Sequence, residues 1–186
     1  MIKTFFLLLT FLTASTAASA ASAASAAPIP EYLTDIYGNA MRDDKYYGLR
    51  LYQQDSVLVP SEYNGNTYLA ARRPSQIVGV KFCAHIGYCH GYWIQRHEFY
   101  IYNREGHPLA LDPSDMHLRF IPGGVPTPLN AKRISTNVYR LAATNIGWFR
   151  LYNTLLGAGD ENNTTDLEFV PGFSKETNIK EHNNPQ

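Results

Sequence analysis

Two cysteines and three histidines lie within fifteen positions of one another and are the residues best suited to chemistry. They are Cys83, His85, Cys89, His90 and His97. Thiolate and imidazole groups are common zinc ligands, but this spacing matches none of the standard zinc patterns. We therefore expect no metal and no cofactor here, and we interpret the histidines as surface or strand residues.

The N-terminus predicts export from the cell. Lys3 is followed by the apolar run FFLLLTFL and then by an Ala/Ser stretch with several A-x-A sites, which is typical of a secretory signal peptide. We assign residues 1–27 to this segment and expect a secreted, extracellular protein. The apolar run is far shorter than the roughly 20 residues that cross a bilayer, so we expect no membrane partner.

Export gives the cysteine pair a structural interpretation. In an oxidising compartment two cysteines usually join, so we predict a disulfide between Cys83 and Cys89. Closing such a short ring contributes about 2 kcal/mol on the chain-entropy estimate. The bridge therefore pins a local loop, and a hydrophobic core must hold the domain.

Charge and motifs argue against nucleic-acid binding and catalysis. Sixteen basic and sixteen acidic residues leave no net charge, which removes the electrostatic basis for binding nucleic acid. The chain has no G-x-S-x-G, no H-E-x-x-H and no glycine-rich phosphate loop. The carboxylate pairs Asp43-Asp44 and Asp160-Glu161 lie in turn-like polar stretches. We expect a protein that is not an enzyme.

Short alternating aromatic and β-branched runs predict an all-β domain over residues 28–173. Such runs occur at 47–52, 99–102 and 148–151, and turn clusters separate them at 37–39, 64–66, 104–106, 122–124 and 157–159. Many short strands at this spacing indicate a barrel or sandwich with almost no helix. Asn162 and Asn163 begin overlapping N-glycosylation sequons, and residues 174–186 form a polar, frayed tail.

Three segments resemble the Kunitz soybean trypsin inhibitor family, in the order and approximate spacing of that family. DIYGNAMRDDKYYGLRL at 35–51 is similar to its opening signature, EGHPLAL at 105–111 to the segment after its reactive loop, and GWFRL at 147–151 to a later strand. The resemblance covers about residues 31–170. The family's two usual disulfides have no counterpart in this sequence, and the chain ends about fifteen residues after Val170.

The resemblance implies a β-trefoil, and because the chain ends early, either the last lobe is abbreviated or the barrel closes differently. It also implies a monomeric inhibitor that inserts an exposed loop into a serine endopeptidase. A carbohydrate-binding or other non-inhibitory trefoil protein is the alternative, because a fold does not fix a function.

Counting back without gaps from Glu105 places the family's P1 position at Phe99, which favours a chymotrypsin-like target. A gap of three would place P1 at Arg96. The reactive loop predicted in this way consists of Arg96, His97, Glu98, Phe99, Tyr100 and Ile101. A buried, core role for Phe99 is the competing interpretation. Asp43 stands about where the family tends to have an asparagine that supports the loop from inside.

Overall fold

A computed structural model describes residues 31–74 and 78–171 as twelve short strands and one 3-10 turn. The predicted signal segment and polar tail lie outside the described residues. No helix within the described ranges is long and apolar enough to cross a membrane. The elements are β1 Tyr46–Leu51, β2 Val57–Tyr63, β3 Asn66–Arg72, β4 Val80–Cys83, β5 Tyr100–Tyr102, β6 Leu109–Leu111, β7 Leu118–Phe120, β8 Leu129–Ser135, β9 Val138–Ala143, β10 Gly147–Tyr152, β11 Leu155–Gly159, the 3-10 turn Glu161–Asn163 and β12 Asp166–Pro171.

Six of the strands close an antiparallel barrel. Strand β1 pairs with β4 and β12, β4 pairs with β5, and β9 pairs with β8 and β12. The remaining seam lies between β5 and β8, where Phe99 and Leu129 exchange two backbone hydrogen bonds of 3.0 and 2.9 Å. Because the last strand pairs with the first, the barrel leaves no long unpaired edge.

The other six strands form three hairpins, β2–β3, β6–β7 and β10–β11, which meet one another at one end of the barrel. Strand β3 contacts both β7 and β11, and His117 pairs with Gly157. Three units of four strands each are therefore present, as a β-trefoil requires. The alternative of an abbreviated last lobe is wrong, because β9 to β12 form a full unit and β12 pairs with β1 over five residue pairs.

The core fills the barrel with side chains from every lobe. Phe82 lies at its centre, with ring centroids 5.7 Å from Phe99 and 5.2 Å from Phe169. Tyr139 also contacts Phe169, at 5.3 Å, and its hydroxyl is hydrogen-bonded to Thr34. Aromatic pairs at these distances add to the free energy gained from burying apolar area.

The predicted strands and most predicted turns are present. The cluster Gly157-Ala158-Gly159 is an exception, because it lies inside β11 and not in a turn. A Cβ built on Gly157 would lie 2.5 Å from the carbonyl oxygen of Met116. Glycine is therefore needed here for the close approach of two hairpins, which is the other common reason for glycine in a strand.

Candidate functional site

The connection between β4 and β5 is the longest irregular segment among the described residues. We call residues 84–99 the β4–β5 loop. The predicted disulfide is present between Cys83, the last residue of β4, and Cys89, with the Cα atoms 4.9 Å apart. We call residues 83–89 the Cys83–Cys89 ring. The ring ties the outgoing half of the loop to a fully buried strand residue.

A tight turn forms the tip of the ring. The Tyr88 N–H donates to the His85 carbonyl at 3.3 Å, so Ile86 and Gly87 occupy the central positions of a β-turn. Gly87 has a φ of 71°, which a glycine adopts without strain. Its N–H also donates to the Tyr102 hydroxyl at 2.9 Å. The tip is therefore anchored to the strand that leaves the loop.

Two large apolar side chains project from this tip. Ile86 is 55% exposed and Tyr88 is 63% exposed, although most large apolar side chains of the described residues are buried in the core. Tyr88 makes a ring contact with the neighbouring His90 at 5.7 Å. Apolar groups clustered at the end of a rigid loop are typical of a surface that another molecule covers.

Asp43 holds the second half of the loop from below. Its side chain is fully buried, and Oδ1 accepts hydrogen bonds from the backbone N–H groups of Gly91 and Tyr92, the latter at 2.9 Å. The Asp43 N–H donates to the Tyr92 carbonyl at 3.0 Å. Bonds from backbone amides to a carboxylate are stronger than bonds between neutral groups. Asp43 thus reaches the loop near its tip and not near Phe99.

The predicted P1 position at Phe99 is wrong. Phe99 is 0% exposed and packs on Phe82 inside the barrel, while both of its backbone polar groups bond to Leu129. Tyr100 and Ile101 are likewise buried, because they belong to β5. A protease could reach these residues only after the barrel had opened, so the core interpretation of Phe99 is correct.

Arg96, His97 and Glu98 lie on the return path from the loop to the barrel. The Arg96 N–H donates to the Glu31 carbonyl at 2.9 Å, and its own carbonyl accepts from Ala131 at 2.8 Å. The backbone of Arg96 is therefore paired on both sides. His97 is exposed, and Glu98 is exposed with its carboxylate bonded to Tyr100.

The Glu98–Tyr100 pair has a marked electrostatic effect. The Tyr100 hydroxyl donates to Glu98 Oε1 at 2.6 Å. Burial of the phenol, together with this hydrogen bond and the negative charge of Glu98, raises the pKa of Tyr100 to about 12. Tyr100 therefore stays protonated at physiological pH and fixes the carboxylate of Glu98 at the base of the loop.

The exposed large apolar residues of the ring, Ile86 and Tyr88, are the candidate functional residues that sequence reasoning missed. The cysteine spacing predicted the ring around them. Two large apolar residues inside this short ring were the feature of the sequence that could have identified the site. Both cysteines are consumed by the disulfide, so neither is a ligand in the zinc set considered above. Asn162 and Asn163 lie on the exposed 3-10 turn, well away from the ring in sequence.

Comparisons with known proteins show the fold. No protein-family model matches the chain, and no curated protein matches it. Solved structures do match. One is described as type II water-soluble chlorophyll-binding proteins, with a TM-score of 0.64 and 18% identity. Another is the water-soluble chlorophyll protein from Brassica oleracea var. Botrytis with chlorophyll b, with a TM-score of 0.63 and 18% identity.

A third similar structure is Alocasin, a protease inhibitor from giant taro (Arum macrorrhizon), with a TM-score of 0.60 and 13% identity. In all three comparisons the match covers 77% of this chain and 100% of the other. Identities this low support a shared fold and leave the function open. The chain is therefore a β-trefoil protein, built like a protease inhibitor and like chlorophyll-binding proteins of the same fold.

Proposed function

We propose that the protein is a secreted inhibitor of serine endopeptidases, and that it presents the Cys83–Cys89 ring to the active-site cleft. The observation that carries the proposal is the exposed apolar tip of a loop that is tied down at both ends. A likeness to a solved protease inhibitor supports the same interpretation. In this proposal the protein blocks catalysis by another protein and catalyses nothing itself.

Tyr88 is the proposed P1 residue. It is the most exposed large apolar side chain of the ring, and its carboxyl side leads to the disulfide-bonded Cys89. A tyrosine fits the hydrophobic S1 slot of a chymotrypsin-like enzyme better than the acidic S1 pocket of a trypsin-like one. The proposed partner is therefore a chymotrypsin-like or subtilisin-like endopeptidase.

The ring explains how such a protein would resist its target. If the protease cuts the bond after Tyr88, the disulfide still joins Cys89 to the barrel through Cys83, and Asp43 still holds the next residues. The new ends cannot diffuse apart, so the bond can close again and the complex persists. A preorganised loop also loses little conformational entropy on binding, which favours tight association.

The test measures the residual activity of chymotrypsin, subtilisin, trypsin and papain as purified protein is added. We expect near-stoichiometric inhibition of chymotrypsin or subtilisin, and a loss of about 100-fold or more in affinity for Tyr88→Ala, the scale of a central interface residue. Ile86→Ala reports on the neighbouring position. Tyr63→Ala is the matched control, because this tyrosine is 57% exposed on the β2–β3 hairpin.

Three results would overturn the proposal. The first is the absence of inhibition of all four enzymes. The second is inhibition that Tyr88→Ala and Ile86→Ala leave intact, because the binding surface would then lie elsewhere. The third is equal loss in Tyr63→Ala, which would indicate a general effect on folding.

A further inference from the structure

A cleft beside the ring has the composition of a small-ligand site, and it shares only Ala84 and His85 with the ring. Its volume is about 270 Å³, and it opens on the barrel surface next to the β4–β5 loop. The residues that matter for its chemistry are Tyr32, His85, Tyr92, Trp93, Gln95 and Glu98. Ile86 and Tyr88 do not line it.

The wall of the cleft is built on extended segments that isolated backbone bridges join. The Leu33 N–H donates to the Ile94 carbonyl at 2.8 Å, and the Ile94 N–H donates to the Met41 carbonyl at 3.0 Å. Leu33, Met41 and Ile94 are fully buried on the inner face. Their chain neighbours Tyr32 and Trp93 therefore face outward, because successive side chains of extended backbone alternate between faces.

Tyr32 and Trp93 form a continuous aromatic wall. Their ring centroids are 6.3 Å apart and their planes are inclined by 52°. Tyr32 remains 37% exposed and Trp93 48% exposed. Since the inner face is held by core packing, this wall exists before any ligand arrives, and binding costs little reorganisation.

Polar groups border the aromatic wall. Glu98 Oε1 is held by Tyr100, so the carboxylate is fixed in position and keeps acceptor capacity for a ligand hydroxyl. Gln95 is exposed and offers both a donor and an acceptor. His85 packs edge-on against Tyr92 at 5.6 Å and adds a ring nitrogen.

We propose that this cleft binds a neutral pyranose saccharide. The C–H face of a sugar ring packs against an aromatic side chain, while its hydroxyls need both acceptors and donors at the edge, and the cleft supplies both kinds of group. A small set of placed polar groups around an apolar wall is the usual plan of a ligand site. The proposal does not depend on protease inhibition.

An organic cation is the competing ligand for an aromatic cleft that contains a carboxylate. The guanidinium of Arg42 already lies 5.5 Å from the centroid of Trp93, and it is paired with Asp44 at 3.2 Å. A second cation on this wall would have to compete with Arg42 for the face of Trp93. This occupation of the ring by Arg42 favours the uncharged sugar.

The test uses Trp93 as its own reporter. Trp93 and Trp148 are the two tryptophans of the sequence, so Trp148→Phe leaves a single signal in the cleft. Methyl glycosides of glucose, galactose, mannose and N-acetylglucosamine are titrated in the absence of protease. We expect a saturable fluorescence change for at least one of them with a dissociation constant of about 1 mM, the order for a ligand of a dozen heavy atoms in a shallow site.

Variants identify the site. Glu98→Gln should weaken the sugar about tenfold through loss of a charge-assisted hydrogen bond, and Tyr63→Ala should leave binding unchanged. Saturation-transfer NMR on the wild-type protein gives the same readout if Trp148→Phe does not fold, and Trp93→Ala should abolish the transfer. The proposal is wrong if no glycoside binds even at a concentration ten times the expected dissociation constant. It is also wrong if binding survives Trp93→Ala, or if choline binds and the sugars do not.

Discussion

The β2–β3 hairpin and the β4–β5 loop both project from the barrel, but different forces hold them. The hairpin pairs residue by residue over seven positions and reverses at Asn64-Gly65, with φ values of 50° and 74°. This is the turn geometry that a twisted two-stranded ladder prefers. The loop has few such pairs and depends on a disulfide, one buried carboxylate and a hydroxyl at its tip.

The difference shows how a projecting segment can be held in place without a regular strand ladder. A ladder uses its backbone groups on itself and presents alternating side chains on two faces. Side-chain anchors leave the turn at Ile86 and Gly87 free to project both large apolar residues of the ring into solvent. We therefore expect the function of the loop to be sensitive to substitution of its anchors, and that of the hairpin to be insensitive.

The largest expected effect is the difference in the free energy of unfolding between a substitution at the base of the loop and one at its tip. Phe99→Ala should lower the free energy of unfolding by about 3–5 kcal/mol, because it leaves a cavity among core aromatics. Tyr88→Ala should change it by no more than about 0.5 kcal/mol, because the side chain lies in solvent. Urea unfolding of both variants measures this. Equal effects would contradict the assignment of Phe99 to the core and Tyr88 to the surface.

Removal of the buried anchor should come next. Asp43→Ala leaves the N–H groups of Gly91 and Tyr92 without their acceptor, at a cost of about 3 kcal/mol. Asp43→Asn keeps an acceptor oxygen in the same place and should cost no more than about 1 kcal/mol. The measurement is the urea midpoint together with amide exchange at residues 91 and 92. If Asn proves as damaging as Ala, the charge matters more than the hydrogen bonds.

Alkaline pH should weaken the base of the loop. The pKa of Tyr100 is about 10 in the unfolded chain and about 12 in the folded protein. From pH 10 to 12 the unfolded chain loses this proton while the folded protein keeps it, so stability falls, by about 1–2 kcal/mol because the exposed Glu98 carboxylate is screened by solvent. Tyr100→Phe should remove this part of the pH dependence. An unchanged slope in that variant would show that other groups are responsible.

The smallest of these stability effects concerns the ring. Replacing Cys83 and Cys89 together by alanine should cost about 2 kcal/mol, because only a short loop is released. Inhibition should nevertheless fall at least tenfold, since the tip loses its fixed geometry. Gly65→Ala in the hairpin turn is the control, with a cost of about 1 kcal/mol for a non-glycine residue at positive φ and unchanged inhibition. If inhibition follows stability in both variants, the two regions do not differ as described.

Alternating patterns and turn residues predicted the all-β class, because they report on local backbone geometry. The resemblance to the Kunitz family implied the trefoil. The bridge between Cys83 and Cys89 was predicted because the sequence has only these two cysteines and export was expected. The resemblance also placed Asp43 near a loop. Gly157 was misread because a contact between hairpins is not visible in local sequence.

The position of the proposed binding loop could not be predicted from the sequence. Counting back from Glu105 assumed a loop of the family's length, and an ungapped count ends at Phe99, a buried residue that directly precedes β5. The spacing of aromatic residues cannot show whether Phe99 or Tyr88 is buried, since both lie in short apolar runs. Only the pairing of Phe99 with Leu129 across the barrel decides which side chain enters the core.

The most direct test of the central claim is to identify the bond that a chymotrypsin-like protease cuts in the full-length protein after long incubation. We predict one cut between Tyr88 and Cys89, inside the ring, so that the protein remains one piece by mass spectrometry until the disulfide is reduced and then separates into two. A cut after Arg96 or Phe99, or free fragments without reduction, would contradict the account.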